Sequence, residues 1–340
     1  MRLSDIFVKK TPYRILQTTV ILVLAYLLLN AIPKQQEQKT GDIPAIVPNA
    51  STVSTSSPQA TTSPKTNLGA TTLLSTPPTK PKPVTFSTIK LEAKSAIVYD
   101  ISSAKVLYAK NPDEHLPIAS ITKVMTAFTA STYLPPDTII TISNEDAAVE
   151  SSAGITAGEQ WPIKDLIAFT LVASSNGGAQ ALARTTEETT YVDFISQMNG
   201  LAKELGLSDS LFRNPTGLDM YDAQMSGSYS TASDIAKLFT YISENDPVLM
   251  TGTNRGTLAV YSSDNVRHQA INTNLLVTKV PNIEMSKTGF TDLAGGSVAI
   301  IFEPQAGHKI AVVVLGSTSQ GRFNDLEKLT QATTLALKSI

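Results

Sequence analysis

The chain has 340 residues, 29 acidic and 27 basic side chains, a formal net charge of −2 and no cysteine. That length is ample for a packed core, and so even a charge balance gives no electrostatic footprint for nucleic acid. The missing thiols exclude disulfides, thiolate zinc sites, iron–sulfur clusters and a cysteine nucleophile.

Residues 1–14 carry Arg2, Lys9, Lys10 and Arg14. They precede residues 15–32, ILQTTVILVLAYLLLNAI, an uncharged run just long enough to cross a bilayer as a helix. The positive-inside rule puts residues 1–14 in the cytoplasm and everything after residue 32 outside the cell membrane. The rival reading is a cleaved signal peptide, but Asn30-Ala31-Ile32-Pro33 offers no clean A-x-A site. An uncleaved, single-pass signal anchor is therefore expected.

Residues 33–88 are rich in Thr, Ser, Pro, Gln and Lys, as in STVSTSSPQATTSPKT. Such a composition buries too little apolar surface to offset its ordering entropy, so a disordered linker is predicted. As a flexible coil it spans on the order of 40 Å.

From residue 89 to residue 340 the pattern is globular. Ser95–Asp100 and Lys105–Ala109 flank a polar turn and predict a β-hairpin. Helical periodicity follows at about 120–132, 163–173, 178–187, 191–205 and 231–243. Strand-like runs return at 257–262, 283–288, 296–302 and 309–316, before a last amphipathic helix at about 323–339. Strands at both ends with helices between predict an α+β domain over 89–340. Its three histidines, His115, His268 and His308, are scattered without an H-E-x-x-H pattern and read as surface or loop residues. This argues against a zinc peptidase and against a Ser–His–Asp hydrolase.

Three short motifs carry chemistry, and each has decoys. S-x-x-K occurs at Ser87–Lys90, Ser102–Lys105 and Ser120–Lys123; K-T-G occurs at Lys39–Gly41 and Lys287–Gly289. S-x-N occurs as Ser174-Ser175-Asn176 and as Ser263-Asp264-Asn265. Ser87 and Lys39 fall in the linker, and Ser102 and Ser263 fall in expected turns. Ser120 alone opens an apolar helix, where i and i+3 share a face and the Lys123 amine reaches the Ser120 hydroxyl. A helix N-terminus also favours developing negative charge. Lys123 becomes a base only if burial and a second cation depress its pKa. Ser174 and Asn176, two apart in an expected extended connection, project to one side. Lys287 and Thr288, late in a strand, offer a charge and a hydroxyl to a carboxylate, and Gly289 lets a substrate backbone come close.

In the order Ser120, Ser174, Lys287, the three form the signature of penicillin-binding proteins and class A β-lactamases. The stretches PIASITKVMTAFTA, DLIAFTLVASSNGGAQALA, LFRNPTGLD, YSTASDIAKL and SKTGFTDLAGGSVAI resemble the D-alanyl-D-alanine carboxypeptidases, the low-molecular-mass penicillin-binding proteins. The likeness runs over residues 89–340. It implies an antiparallel sheet flanked by helices, with a helical subdomain carrying the S-x-N loop. It implies Ser120 as acyl-enzyme nucleophile, Lys123 as its base, and Ser174 and Asn176 as the second catalytic element. Lys287 and Thr288 would bind the substrate carboxylate, and the backbone N–H groups of Ser120 and Phe290 would form an oxyanion hole. The implied substrate is a peptidoglycan stem peptide and the implied covalent inhibitors are β-lactams. No metal or cofactor is implied.

Gly177 stands where many members of that family carry aspartate. The β-rich C-terminal domain and C-terminal amphipathic anchor of many members have no counterpart in these 340 residues, and the N-terminal helix is expected to take over the anchoring. Three rivals share the motifs: a D,D-endopeptidase acting on crosslinks, a β-lactamase, and a non-catalytic wall-binding or β-lactam-sensing module. The stretch ELGLSDSLFRNPTGLD lacks the E-x-x-x-N arrangement expected of the β-lactamase. Retention of Lys123 and Ser174 argues against the module.

Overall fold

The computed structural model describes residues 85–338. The expected segments 1–14 and 15–32 and nearly all of the 33–88 linker lie outside them. Among the described residues, no helix is long and apolar enough to cross a membrane. The globular part starts before residue 89. Thr88 N donates to Thr85 O at 3.0 Å, and Phe86 stacks on Tyr108 with ring centroids 5.6 Å apart. An aromatic with a partner overrides the linker-like composition around it.

The frame is one antiparallel sheet. Strands β1 (Ser95–Asp100) and β2 (Lys105–Lys110) form the predicted hairpin. Its turn closes on Asp100, whose Oδ1 accepts from Ser102 N and Ser103 N at 3.0 and 3.2 Å. The chain returns to this sheet near its C-terminal end with β10 (Ile283–Thr291), β11 (Gly295–Gln305) and β12 (His308–Ser317), giving the order β10-β11-β12-β1-β2.

Both faces of the sheet are covered, which is why the strands read as unbroken apolar runs rather than alternating ones. Val298, Ile300, Phe302, Val312 and Val314 point to one face and meet Phe323, Leu326 and Leu329 of the final helix, α7 (Gly321–Leu337). Their neighbours Ala299, Ile301, Ala311, Val313 and Leu315 point to the other face, into the core shared with the helical block.

That block lies between β2 and β10. It runs β3 (Leu116–Pro117), a 3-10 turn (Ala119–Ile121), α1 (Thr122–Tyr133), β4 (Ile139–Thr141), α2 (Asn144–Ala148), β5 (Gln160–Pro162) and α3 (Ile163–Ala173). Then follow α4 (Asn176–Thr190), α5 (Phe194–Glu204), β6 (Leu211–Phe212), β7 (Ser228–Ser230), α6 (Ala232–Asn245), and a hairpin of β8 (Thr257–Tyr261) and β9 (Arg267–Ile271). Helix α1 is buried from Thr122 to Ala130 on every side, its polar members Thr122, Lys123, Thr126 and Thr129 included. Its neighbours are α3, α4 and α5.

Several expectations shift. Helix α4 begins at Asn176 rather than 178, because Ser175 Oγ accepts from Gly178 N at 3.0 Å and caps it. Helix α5 begins at Phe194 rather than 191: Tyr191 is left-handed (φ 57°) and ends α4, and Asp193 caps α5. The short strands β3 to β7, the helix α2 and strand β9 were not predicted. Most are too short to show a period, and β9 reads Arg-His-Gln-Ala-Ile. His268 is therefore not a surface or loop residue. It sits on β9 against Trp161 and Phe169, centroids 4.7 and 5.7 Å away, with Nε2 3.0 Å from Glu159 Oε2.

Candidate active site

The chain enters the site through Ala119, whose φ of 48° is unusual for a residue with a side chain. Ser120 follows in the 3-10 turn, two residues ahead of the regular helix rather than at its first position. In a 3-10 turn residues i and i+3 eclipse, which strengthens the expected pairing. Lys123 Nζ lies 2.8 Å from Ser120 Oγ and donates to Thr216 O at 2.8 Å.

Lys123 is fully buried in α1. Burial first, and the neighbouring Lys287 charge second, hold its amine well below the ordinary lysine value. An amine with one N–H tied to the Thr216 carbonyl has its lone pair free to face the Ser120 hydroxyl.

The S-x-N segment is not extended. Ser174 ends α3 in the left-handed conformation (φ 58°, ψ 36°), and Asn176 is the first residue of α4. The left-handed residue turns the chain sharply between two helices and sends the Ser174 hydroxyl toward β10. There Lys287 Nζ donates to Ser174 Oγ at 2.8 Å and to Thr288 O at 2.8 Å. Burial, and then the Arg322 charge, push the Lys287 amine down to about 7. Asn176 Nδ2 donates to Glu150 O at 2.8 Å, and its Oδ1 is buried without a partner among the described residues.

The structure supplies the account of Gly177. A Cβ added there would sit 2.4 Å from Asp146 O, so no side chain fits. Gly289 is equally constrained: its Cβ would lie 2.8 Å from Ile118 O and 2.9 Å from Ser120 N. This close approach brings the edge strand β10 against the nucleophile turn.

A cleft of about 690 Å³ opens over these groups, lined by Ser120, Ser174, Asn176, Thr288, Gly289 and Phe290 among others. Neither Lys123 nor Lys287 lines it. Each lysine reaches the cleft only through a serine hydroxyl. Thr288 Oγ1 lies 2.6 Å from Thr273 Oγ1. The cation that lines the cleft is the half-buried Arg322, which sequence reasoning missed. It lines the cleft, donates Nη1 to Gly289 O and lies 6.0 Å from the Phe290 ring centroid. A signal for it existed: an arginine in the first turn of a helix opposes the helix dipole and asks for another reason to be there.

The decoys lie elsewhere. Ser102 Oγ accepts from Lys309 N at 3.1 Å in the β1–β2 turn. Ser263 and Asp264 tie the β8–β9 turn to Gln160. Ser87 lies not in free linker but in the Thr85 turn, 3.0 Å from Thr85 Oγ1, and is exposed.

Residues 81–319 match the family model described as D-alanyl-D-alanine carboxypeptidase. Over 246 residues the chain is 30% identical to the D-alanyl-D-alanine carboxypeptidase DacF of Bacillus subtilis, covering 70% of this chain and 61% of that protein. Over 215 residues it is 33% identical to a D-alanyl-D-alanine endopeptidase of Escherichia coli, covering 62% of this chain and 67% of that protein. The ampicillin-bound crystal structure of penicillin-binding protein D2 from Listeria monocytogenes superposes with a TM-score of 0.62 at 29% identity, covering 72% of this chain and 98% of that one. The sheet, the helical block and the paired Ser–Lys motifs thus have one explanation: the chain belongs to the D-alanyl-D-alanine carboxypeptidase family.

Proposed function

We propose that the chain is a serine D,D-carboxypeptidase that removes the terminal D-alanine from peptidoglycan stem peptides through an ester on Ser120. The observation that carries this reading is the buried Lys123 amine, depressed in pKa and 2.8 Å from Ser120 Oγ. Neutral Lys123 accepts the Ser120 proton as Oγ attacks the carbonyl of the penultimate residue. The backbone N–H groups of Ser120 and Phe290 stabilise the oxyanion. The tetrahedral intermediate collapses, the C–N bond breaks, and the D-alanine amine leaves with a proton delivered through Ser174 from Lys287. Lys123 then gives up its proton and Lys287 regains one through exchange with solvent. Water attacks the ester as neutral Lys123 takes its proton and hands it to the departing Ser120 oxygen, freeing the shortened peptide and the Ser120 hydroxyl. Thr288 and Arg322, which line the cleft, draw in the terminal carboxylate, and Lys287 adds its charge from behind Ser174.

β-Lactams, whose strained amide mimics the scissile bond, acylate the same Ser120 and stay there. The run at 15–32, with Arg2, Lys9, Lys10 and Arg14 before it, supports a cell-membrane anchor that holds this domain outside the cytoplasm. A second reading, D,D-endopeptidase action on crosslinks, is supported by the likeness to relatives that carry that name.

The test is to incubate the full chain with a pentapeptide, a crosslinked dimer and a labelled penicillin. Release of D-alanine with adduct formation on the Ser120 peptide is expected. Penicillin labelling without D-alanine release from either substrate sinks the hydrolase reading.

A further inference from the structure

Asn176 is held by carbonyls of one irregular loop. Its Nδ2 donates to Glu150 O at 2.8 Å, its backbone N to Ser151 O at 3.1 Å, and the neighbouring Ser175 Oγ donates to Ser152 O at 2.6 Å. Because a carbonyl only accepts, the contact with Glu150 O fixes which way the Asn176 amide faces. What remains for a ligand is the second Nδ2 hydrogen and the unpartnered Oδ1, a donor–acceptor pair suited to a secondary amide.

That loop would not hold its shape unaided. Ser151, Ala153 and Gly154 are all left-handed, at φ 54°, 62° and 83°. It hangs from the short helix α2, where Ser143 and Asp146 form a reciprocal capping box. Asp146 is completely buried, and its Oδ2 accepts from Arg184 Nε and Nη2 at 3.1 and 2.7 Å. Arg184 also donates Nη2 to Thr141 O at 2.7 Å. It stands on α4, two turns beyond Asn176 on the same helix. The backbone of Asp146 meets that helix again at Gly177, where there is no room for a Cβ. Helix α4 is thereby tied at two heights to the element that carries the loop.

We propose that Arg184, acting through Asp146, is a positioning residue that sets the Asn176 amide for the amide preceding the penultimate residue of the substrate. The inference rests on the carboxypeptidase reading for the identity of that amide, and on distances alone for the clamp. Neither Arg184 nor Asp146 lines the cleft, so neither touches substrate.

The test uses the full chain and two peptides ending in D-alanyl-D-alanine that differ only by N-methylation of that amide. Arg184→Met, Arg184→Lys, Asn176→Ala and the double variant are compared in kcat/KM. The unmodified chain is expected to prefer the N–H peptide by about tenfold or more. Arg184→Met should bring the ratio close to that of Asn176→Ala, Arg184→Lys should restore part of it, and the double variant should be no worse than Asn176→Ala alone. A merely structural role would lower both peptides alike and leave the ratio intact; that result, or additive losses in the double variant, overturns the proposal. Should Arg184→Met fail to fold, the Arg184→Lys ratio decides in the same way. If the unmodified chain cleaves neither peptide, the carboxypeptidase reading falls, and hydrogen exchange then judges the clamp. Faster exchange at residues 175–178 in the arginine variants with β11 unchanged upholds it; unchanged exchange at both overturns it.

Discussion

Lys287 Nζ lies 2.8 Å from Ser174 Oγ, joining the edge strand of the sheet to the helical block across 113 residues of chain. The contact gives the cleft a second serine backed by a buried lysine, Ser174 with Lys287 as Ser120 has Lys123. Burial depresses both amines first; the Lys287 charge adds to it at Lys123, and the Arg322 charge adds to it at Lys287.

The first prediction concerns the base. Lys123→Arg keeps a cation but has a pKa too high to accept a proton. Acylation by a labelled penicillin should fall by about 10²- to 10⁴-fold, with circular dichroism unchanged. Near-normal labelling would mean that another group activates Ser120.

The second separates motif from decoy. Ser120→Ala should abolish covalent labelling, whereas Ser102→Ala and Ser263→Ala should leave it intact. Ser102 Oγ holds the β1–β2 turn by accepting from Lys309 N, so its loss should cost only about 1 kcal/mol of stability, whereas Ser263 meets Gln160 O through its backbone N and keeps that bond as alanine. Mass spectrometry of labelled tryptic peptides locates the adduct.

The third concerns pH and stability. In the folded chain Lys287 titrates near 7, and in the unfolded chain near the ordinary value of about 10.4. Between those values the unfolded chain holds a proton that the folded chain does not. Stability should therefore rise with pH from about 7 toward 10, by on the order of 1 kcal/mol per unit, and be lowest below 7. Lys123, also depressed, acts in the same direction. Thermal midpoints of the unmodified chain should climb over pH 7 to 9, and Lys287→Met should flatten that climb. An identical slope in the variant would place the Lys287 titration elsewhere.

The fourth concerns Arg322. Arg322→Leu removes the cation that lines the cleft and should raise KM for a carboxylate-ended peptide by about tenfold. It should also lift the Lys287 titration, since Arg322 is one of the two causes that depress it. An unchanged KM would remove Arg322 from carboxylate recognition.

Much of this was legible in the sequence, for physical reasons. The runs SVAIIF and IAVVVL announced strands, and Ser120 with Lys123 announced itself by putting a lysine inside an apolar helix. Elements of two or three residues, such as Leu116–Pro117 and Leu211–Phe212, carry no period and were silent. The left-handed turn at Ser174 was hidden because serine, unlike glycine, gives no sign of that conformation. The close approach at Gly177 was hidden because the atom a Cβ would strike, Asp146 O, belongs to a backbone 31 positions away.

The burial of α1 on every side has a consequence for how the molecule fails. A nucleophile on a surface loop can be lost by local fraying while the rest of the domain survives. Here the helix carrying Lys123 is wedged among α3, α4 and α5, and the turn carrying Ser120 is pressed against β10. Neither can loosen without opening the core of the whole helical block. Heat inactivation and melting should therefore coincide, leaving no warm, folded but inert state between them.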